Sequence, residues 1–147
     1  MGEYISGAIA IFAVALTVLS GVALSAGLAA RATLSAITAQ ASADMAVDGG
    51  YTAEVRSAVQ SALAAHGLTS TATVNVMVNN GNSTNAAYYG ETYTVAITYD
   101  LPVILPSGLL TIPVTTSAPG VSTYPCSAGQ AGTGSCAAPA TISGGGV

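Results

Sequence analysis

Lysine is absent from this 147-residue chain, and Arg31 and Arg56 are its only arginines. Two cations cannot form a basic patch, which argues against nucleic acid or any other polyanion as a partner. Charged residues make up only 5% of the chain, so Thr, Ser, Asn and Gly, or neighbouring molecules or sugars, must cover its surface. Catalytic material is as scarce. His66 is the one histidine, and beside Gly67 at a helix end its ordinary role is capping or pairing with the helix dipole. No serine lies in a nucleophile motif, no glycine-rich loop follows a strand in phosphate-binding order, and the acids are too scattered for a metal site. The expectation is a chain that is not an enzyme, with no cofactor, no metal and no small-molecule substrate. Cysteine is limited to Cys126 and Cys136, which bracket the segment CSAGQAGTGSC. That spacing suits a disulfide and differs from zinc or CxxC patterns; two free buried thiols are the alternative. A disulfide would stabilise by about 2.5 to 3 kcal/mol through loop entropy and place this region outside the reducing cytoplasm.

What the chain has in abundance is apolar length. Between Glu3 and Arg31 run 27 residues without a charge, enough to cross a bilayer core of about 30 Å. No proline interrupts Tyr4 to Val47 and the break comes at Gly49-Gly50, which predicts one helix over 1–48, apolar all round in 1–30 and amphipathic beyond, on the order of 70 Å long. Phe12 and Tyr4 are the only aromatics in its apolar part, too few for a continuous conducting stack. Gly21, Ser25 and Ala29 form a small-xxx-small ridge of the kind that lets helix backbones approach closely; a plain membrane anchor would need no such ridge. Glu3 stands at the head of the apolar run, where a carboxylate is costly to bury unless something pairs with it.

A head is predicted over 51–124. In YTAEVRSAVQSALAAHG, Thr52 is placed as the N-cap, Glu54 in the first turn, and Gly67 as the stop of a second helix that buries Val55, Val59, Leu63 and Ala62. The period then changes to alternation. Val74, Val76 and Val78 mark one strand; Tyr93, Val95, Ile97 and Tyr99 a second; Leu110, Ile112 and Val114 a third. Three strands with Thr and Asn on the other face predict a small antiparallel sheet, or one slightly larger, covered by the second helix and the amphipathic half of the first. Pro113 makes the third strand an edge or a bulged strand. NGNSTNAAYYG reads as a polar hairpin loop and DLPVILPSG as an extended, turn-rich link. The clustered tyrosines read as strand core or rim before a sugar platform. Asn82-Ser83-Thr84 fits the N-glycosylation acceptor pattern, making Asn82 a candidate site. Residues 125–147 form a Gly/Ser-rich tail with the cysteine loop. The fold class is α+β.

Glu3-Tyr4 at the head of a long Gly/Ala/Leu/Val-rich helix, its polar continuation to Asp48, and GETYTVAITYDLPVILPSGLLTIPVTTSA together resemble bacterial type IV pilin-like subunits. The Tad branch, with its Flp pilins and TadE-like pseudopilins, is the nearest in pattern, over about residues 1–118. The resemblance implies a structural subunit of an extracellular, cell-surface filament. It further implies a homo-oligomer whose helices pack in the core, and residence in the cytoplasmic (inner) membrane until pilus assembly machinery and a prepilin peptidase act on the chain. It implies Met1 as a processed and methylated terminus and Glu3, beside Tyr4, as the carboxylate that offsets a neighbour's terminal amine. In the family that glutamate usually lies fifth after the cut, whereas Glu3 is third; either the offset is unusual here or Met1 is an initiator and processing differs. The alternative is a membrane-anchored extracellular binding or adhesion module using the same helix as a lone anchor.

Overall fold

The computed structural model describes residues 2–68, 72–79, 85–105, 108–131, 136–142 and 145–146, with side chains for all of these but 2–6, 23, 26, 103–105, 108, 109, 145 and 146. The molecule is α+β. Helix α1 spans Gly2–Asp48, α2 spans Ala53–Ala65, and the strands are β1 Ala72–Val78, β2 Thr92–Leu105, β3 Gly108–Val121 and the short β4 Gly145–Gly146. The sheet is antiparallel in the order β3-β2-β1-β4, so its body is the three-stranded sheet expected, with two glycines added at one edge.

The amphipathic half of α1 covers one sheet face because its apolar and small residues recur at three and four: Leu34, Ile37, Thr38, Ala41, Ser42 and Met45 are all buried. Polar contacts tie the same stripe to the sheet. The Thr38 and Thr116 hydroxyls lie 2.8 Å apart, Ser42 Oγ donates to Pro119 O at 3.3 Å, and the Tyr93 hydroxyl donates to Ser42 O. Helix α2 completes the cover with Val55, Val59 and Leu63 buried and Ala62 partly so. Thr52 Oγ1 accepts from Val55 N at 3.3 Å, the N-cap expected of it. Its far end closes as a Schellman motif: Leu68 N donates to Leu63 O at 2.9 Å and Gly67 N to Ala64 O at 3.0 Å, with Gly67 at φ +70°.

Alternation in β1 and in the first half of β2 is as read: Ala72, Val74, Val76, Tyr93, Val95, Ile97 and Tyr99 face the core. The second half of β2 is a correction. The segment beginning at Asp100 is no link, for β2 continues through Pro102 to Leu105 and pairs with β3 over its whole length, Leu105 opposite Gly108. The β1 ladder stops at Ala72 opposite Tyr99. Beyond that point β2 has one open flank among the described residues, and a strand with an open flank tolerates proline. β3 is the edge strand that Pro113 required. The two strands therefore run past the head as a ribbon. At that level Leu110 and Ile112 have the parity assigned to them yet are 49% and 44% exposed, while Val114 packs against the core.

Several of the other described segments are tied to the α1–α2 corner. Asn85–Gly90, read as part of a polar loop, packs inward with Ala86 and Ala87 buried; Ala87 N donates to Gly49 O at 2.7 Å and Tyr51 N to Asn85 O at 3.3 Å. The last carbonyls of a helix lack intrahelical donors. Here Ala46 O accepts from Thr123 N at 2.8 Å and from Thr123 Oγ1 at 3.1 Å. Ile142 N donates to Tyr51 O at 2.8 Å, and β4 pairs with Thr73 and Val74. A segment without sequence period is thus held by backbone bonds to the core.

Cys126 and Cys136 form the expected disulfide, with Cα atoms 6.0 Å apart, and Cys126 is 1% exposed. Reduction, or replacement of both cysteines by alanine, is expected to cost about 2.5 to 3 kcal/mol, roughly 10 to 20 °C in melting temperature for a head of this size. Thermal melts of the full chain in detergent, followed by near-ultraviolet circular dichroism, measure it; unchanged melts with the thiols shown to be reduced would contradict the loop-entropy account.

Tyr51 and Tyr93 are each 1% exposed, and burial pushes both phenols above the usual value of 10.0; the nearby Arg56 charge partly opposes this for Tyr51 and the contact with Ser42 for Tyr93. The folded head therefore keeps these two protons to higher pH than the unfolded chain does. Their contribution is complete below about pH 10 and is lost as pH rises through the folded values. An alkaline titration should show two tyrosinates appearing late and together with loss of the tertiary dichroism signal. Ionisation of Tyr51 and Tyr93 at the ordinary value, with the head still folded, would contradict it.

Candidate functional site

The feature outside the packed head is the apolar part of α1. Ten large side chains there, from Ile9 to Leu28, are between 51% and 74% exposed. The helix is long and apolar enough to cross a membrane, and the apolar window is not buried at all within the molecule. Its described hydroxyls are internally satisfied: Thr17 Oγ1 donates to Val14 O at 2.8 Å, Ser20 Oγ to Leu16 O at 2.8 Å and Ser25 Oγ to Val22 O at 2.8 Å. Among the described side chains no polar group on this stretch asks for water, which suits a surface placed against lipid or other apolar helices. One such N-terminal helix points to membrane anchoring or secretion.

The ridge residues Gly21, Ser25 and Ala29 are exposed. Taking 100° per residue, they lie about 120°, 160° and 200° around the axis from Gly27, and Gly27 is on the line of Leu34, Thr38 and Met45 that meets the sheet. A Cβ built on Gly27 would stand 3.9 Å from Leu101 Cδ2. The ridge thus points away from the chain's own head. On the near side, Leu24, Gly27 and Leu28 of α1 face Leu101, Ile112 and Val114 of the β2–β3 ribbon across an open groove of about 510 Å³, which Arg31 also lines. Sequence reading missed this groove, because its second wall exists only once β2 extends past Asp100. Tyr51 was likewise missed as a core residue; its single position after Gly49-Gly50 carries no period.

Glu3 and Tyr4 lie in the first turns of α1, but their side chains, Met1 and Asn82 are outside the described residues. His66 is exposed at the C-terminal end of α2. Among the described residues no group of three or more His, Cys, Asp or Glu side chains is placed to hold a metal ion. Of the head tyrosines, Tyr93 and Tyr99 are core and Tyr89 is 68% exposed.

Comparison with protein-family models, with curated proteins and with solved structures finds no match to this chain. Its class therefore rests on architecture. A long N-terminal apolar helix, an antiparallel sheet packed on that helix's second half, and a disulfide near the C-terminus make a pilin-like architecture.

Proposed function

We propose that this chain is the structural subunit of an extracellular type IV pilus-like filament. The observation that carries the reading is the exposed apolar helix, which presents a small-residue ridge on the side away from its own head. Before assembly the helix rests in the membrane with its backbone internally bonded. Assembly exchanges lipid for neighbouring helices and keeps apolar area from water at about 25 cal/mol per Å². A ridge and a head on opposite sides of one helix favour contacts between unlike surfaces of successive copies, and such heterologous contacts give open helical polymers when the rotation does not close. Glu3 is assigned to the terminal amine of a neighbouring copy, and the role is structural rather than enzymatic.

Electron microscopy of sheared cell-surface material, with mass spectrometry of its dominant protein, tests this. Thin filaments made of this chain are expected, and the same spectra give the N-terminus and any methyl or sugar on it. A chain found only as a detergent-soluble monomer in the membrane fraction would replace the filament with the membrane-anchored binding module.

A further inference from the structure

We propose that the groove between α1 and the β2–β3 ribbon is the seat for the apolar helix of a second copy of this chain; this rests on the filament reading and specifies where one copy receives the next. The first argument is length. The charge-free run of 27 residues is about 40 Å long as a helix, against a bilayer core of about 30 Å. About 20 residues fill the core, so the run's last turns, from about Leu24 to Ala30, extend beyond it. These are the turns that form the helical wall of the groove. A lipid chain covers the part of α1 below them, and the groove needs another cover.

The second argument is area. Ten exposed large side chains between Ile9 and Leu28 hold on the order of 600 Å² of apolar surface, close to the roughly 800 Å² that each partner brings to a standard interface. The chain therefore carries both an apolar rod and an apolar trough lined by Leu101 and Ile112. The third argument is register. Arg31 lines the groove and cannot face a second arginine without cost. A parallel neighbour that meets the eight-residue wall Leu24–Arg31 with its charge-free run brings a window lying within Tyr4–Ala30. It is then displaced toward its own head by between 1 and 20 residues, about 1.5 to 30 Å along the axis.

The test places a photo-crosslinking residue at Ile112 in the full-length chain, expressed where its filaments form, and maps the adducts in sheared filaments. Dimer adducts to residues between Tyr4 and Ala30 of another copy are expected. Filaments whose adducts lie only within one chain, on a neighbour's head, or on lipid overturn the groove assignment while leaving the filament standing. Ile112→Asp gives a second measure: at least a tenfold loss of filament is expected, with disulfide and tertiary dichroism unchanged. Asn75→Asp, on the exposed opposite sheet face, should leave the yield as it was. Normal filaments from Ile112→Asp would overturn the proposal, and an unaltered chain that forms no filament refutes the filament reading itself.

Discussion

With Glu3 replaced by alanine, the chain is expected to accumulate in the membrane and to yield few or no filaments. Two roles for this carboxylate differ enough in size to be separated. Glu3 lies in the first turn of α1, where an acid stabilises the helix dipole by about 0.3 to 1 kcal/mol. A loss of that size would scarcely alter a helix held in lipid, and filaments would form in near-normal amounts. In the pairing proposed above, removal of Glu3 leaves a neighbour's terminal amine buried among apolar helices without its counter-charge. Breaking a buried pair from one side costs about 3 to 5 kcal/mol, and the cost recurs at every subunit added. The neutral isostere should behave like alanine, since Glu3→Gln keeps the shape and loses the charge, whereas Glu3→Asp should retain part of the yield. Filament yield by electron microscopy, beside the amount of chain in the membrane fraction, separates the cases. Abundant filaments from Glu3→Ala would leave only the dipole role.

The second large effect is expected at Gly50. Its φ of +137° is open to glycine and strained for other residues, and a Cβ built there stands 2.2 Å from Asn85 O and 2.8 Å from Thr141 Cγ2. The crowding atoms cannot retreat cheaply, because Asn85 O accepts from Tyr51 N and Ala87 N is bonded to Gly49 O. Backbone strain of about 1 to 3 kcal/mol adds to overpacking of about 1 to 3 kcal/mol. Gly50→Ala is thus expected to cost about 4 kcal/mol in sum, a fall of more than about 15 °C in the melting temperature of the head. Two other glycines calibrate the result. Gly67, at φ +70° with nothing near its missing Cβ, should cost about 1 to 2 kcal/mol as alanine. Gly129, in open space and without a positive φ, should change stability by less than about 0.5 kcal/mol. Melts of the three variants in detergent should follow that order; Gly50→Ala melting beside Gly129→Ala would show that the corner is not the close junction described.

The sequence by itself determined what depends on near neighbours along the chain. A proline-free stretch, apolar and then amphipathic, stopped by two glycines set α1 and its end at Asp48. Thr52, Glu54 and Gly67 set α2, and alternation set which faces of β1 and early β2 are buried. A separation of ten positions between two cysteines left a disulfide as the ordinary outcome. The tertiary structure alone decided what depends on partners distant in sequence. Asp100 and Pro102 break the alternating pattern, yet β2 continues because β3 pairs along it and β1 has already ended. Thr123 and Ile142 have no periodic context, yet they are fixed by the free carbonyls of Ala46 and Tyr51. The small ridge was legible from spacing, but its direction, away from the head, followed only once the sheet was seated on the opposite side of α1. The groove beside Arg31 belongs wholly to this second kind: one of its walls is local helix, and the other is a pair of strands about seventy to ninety residues further on, placed there by pairing that no local period encodes.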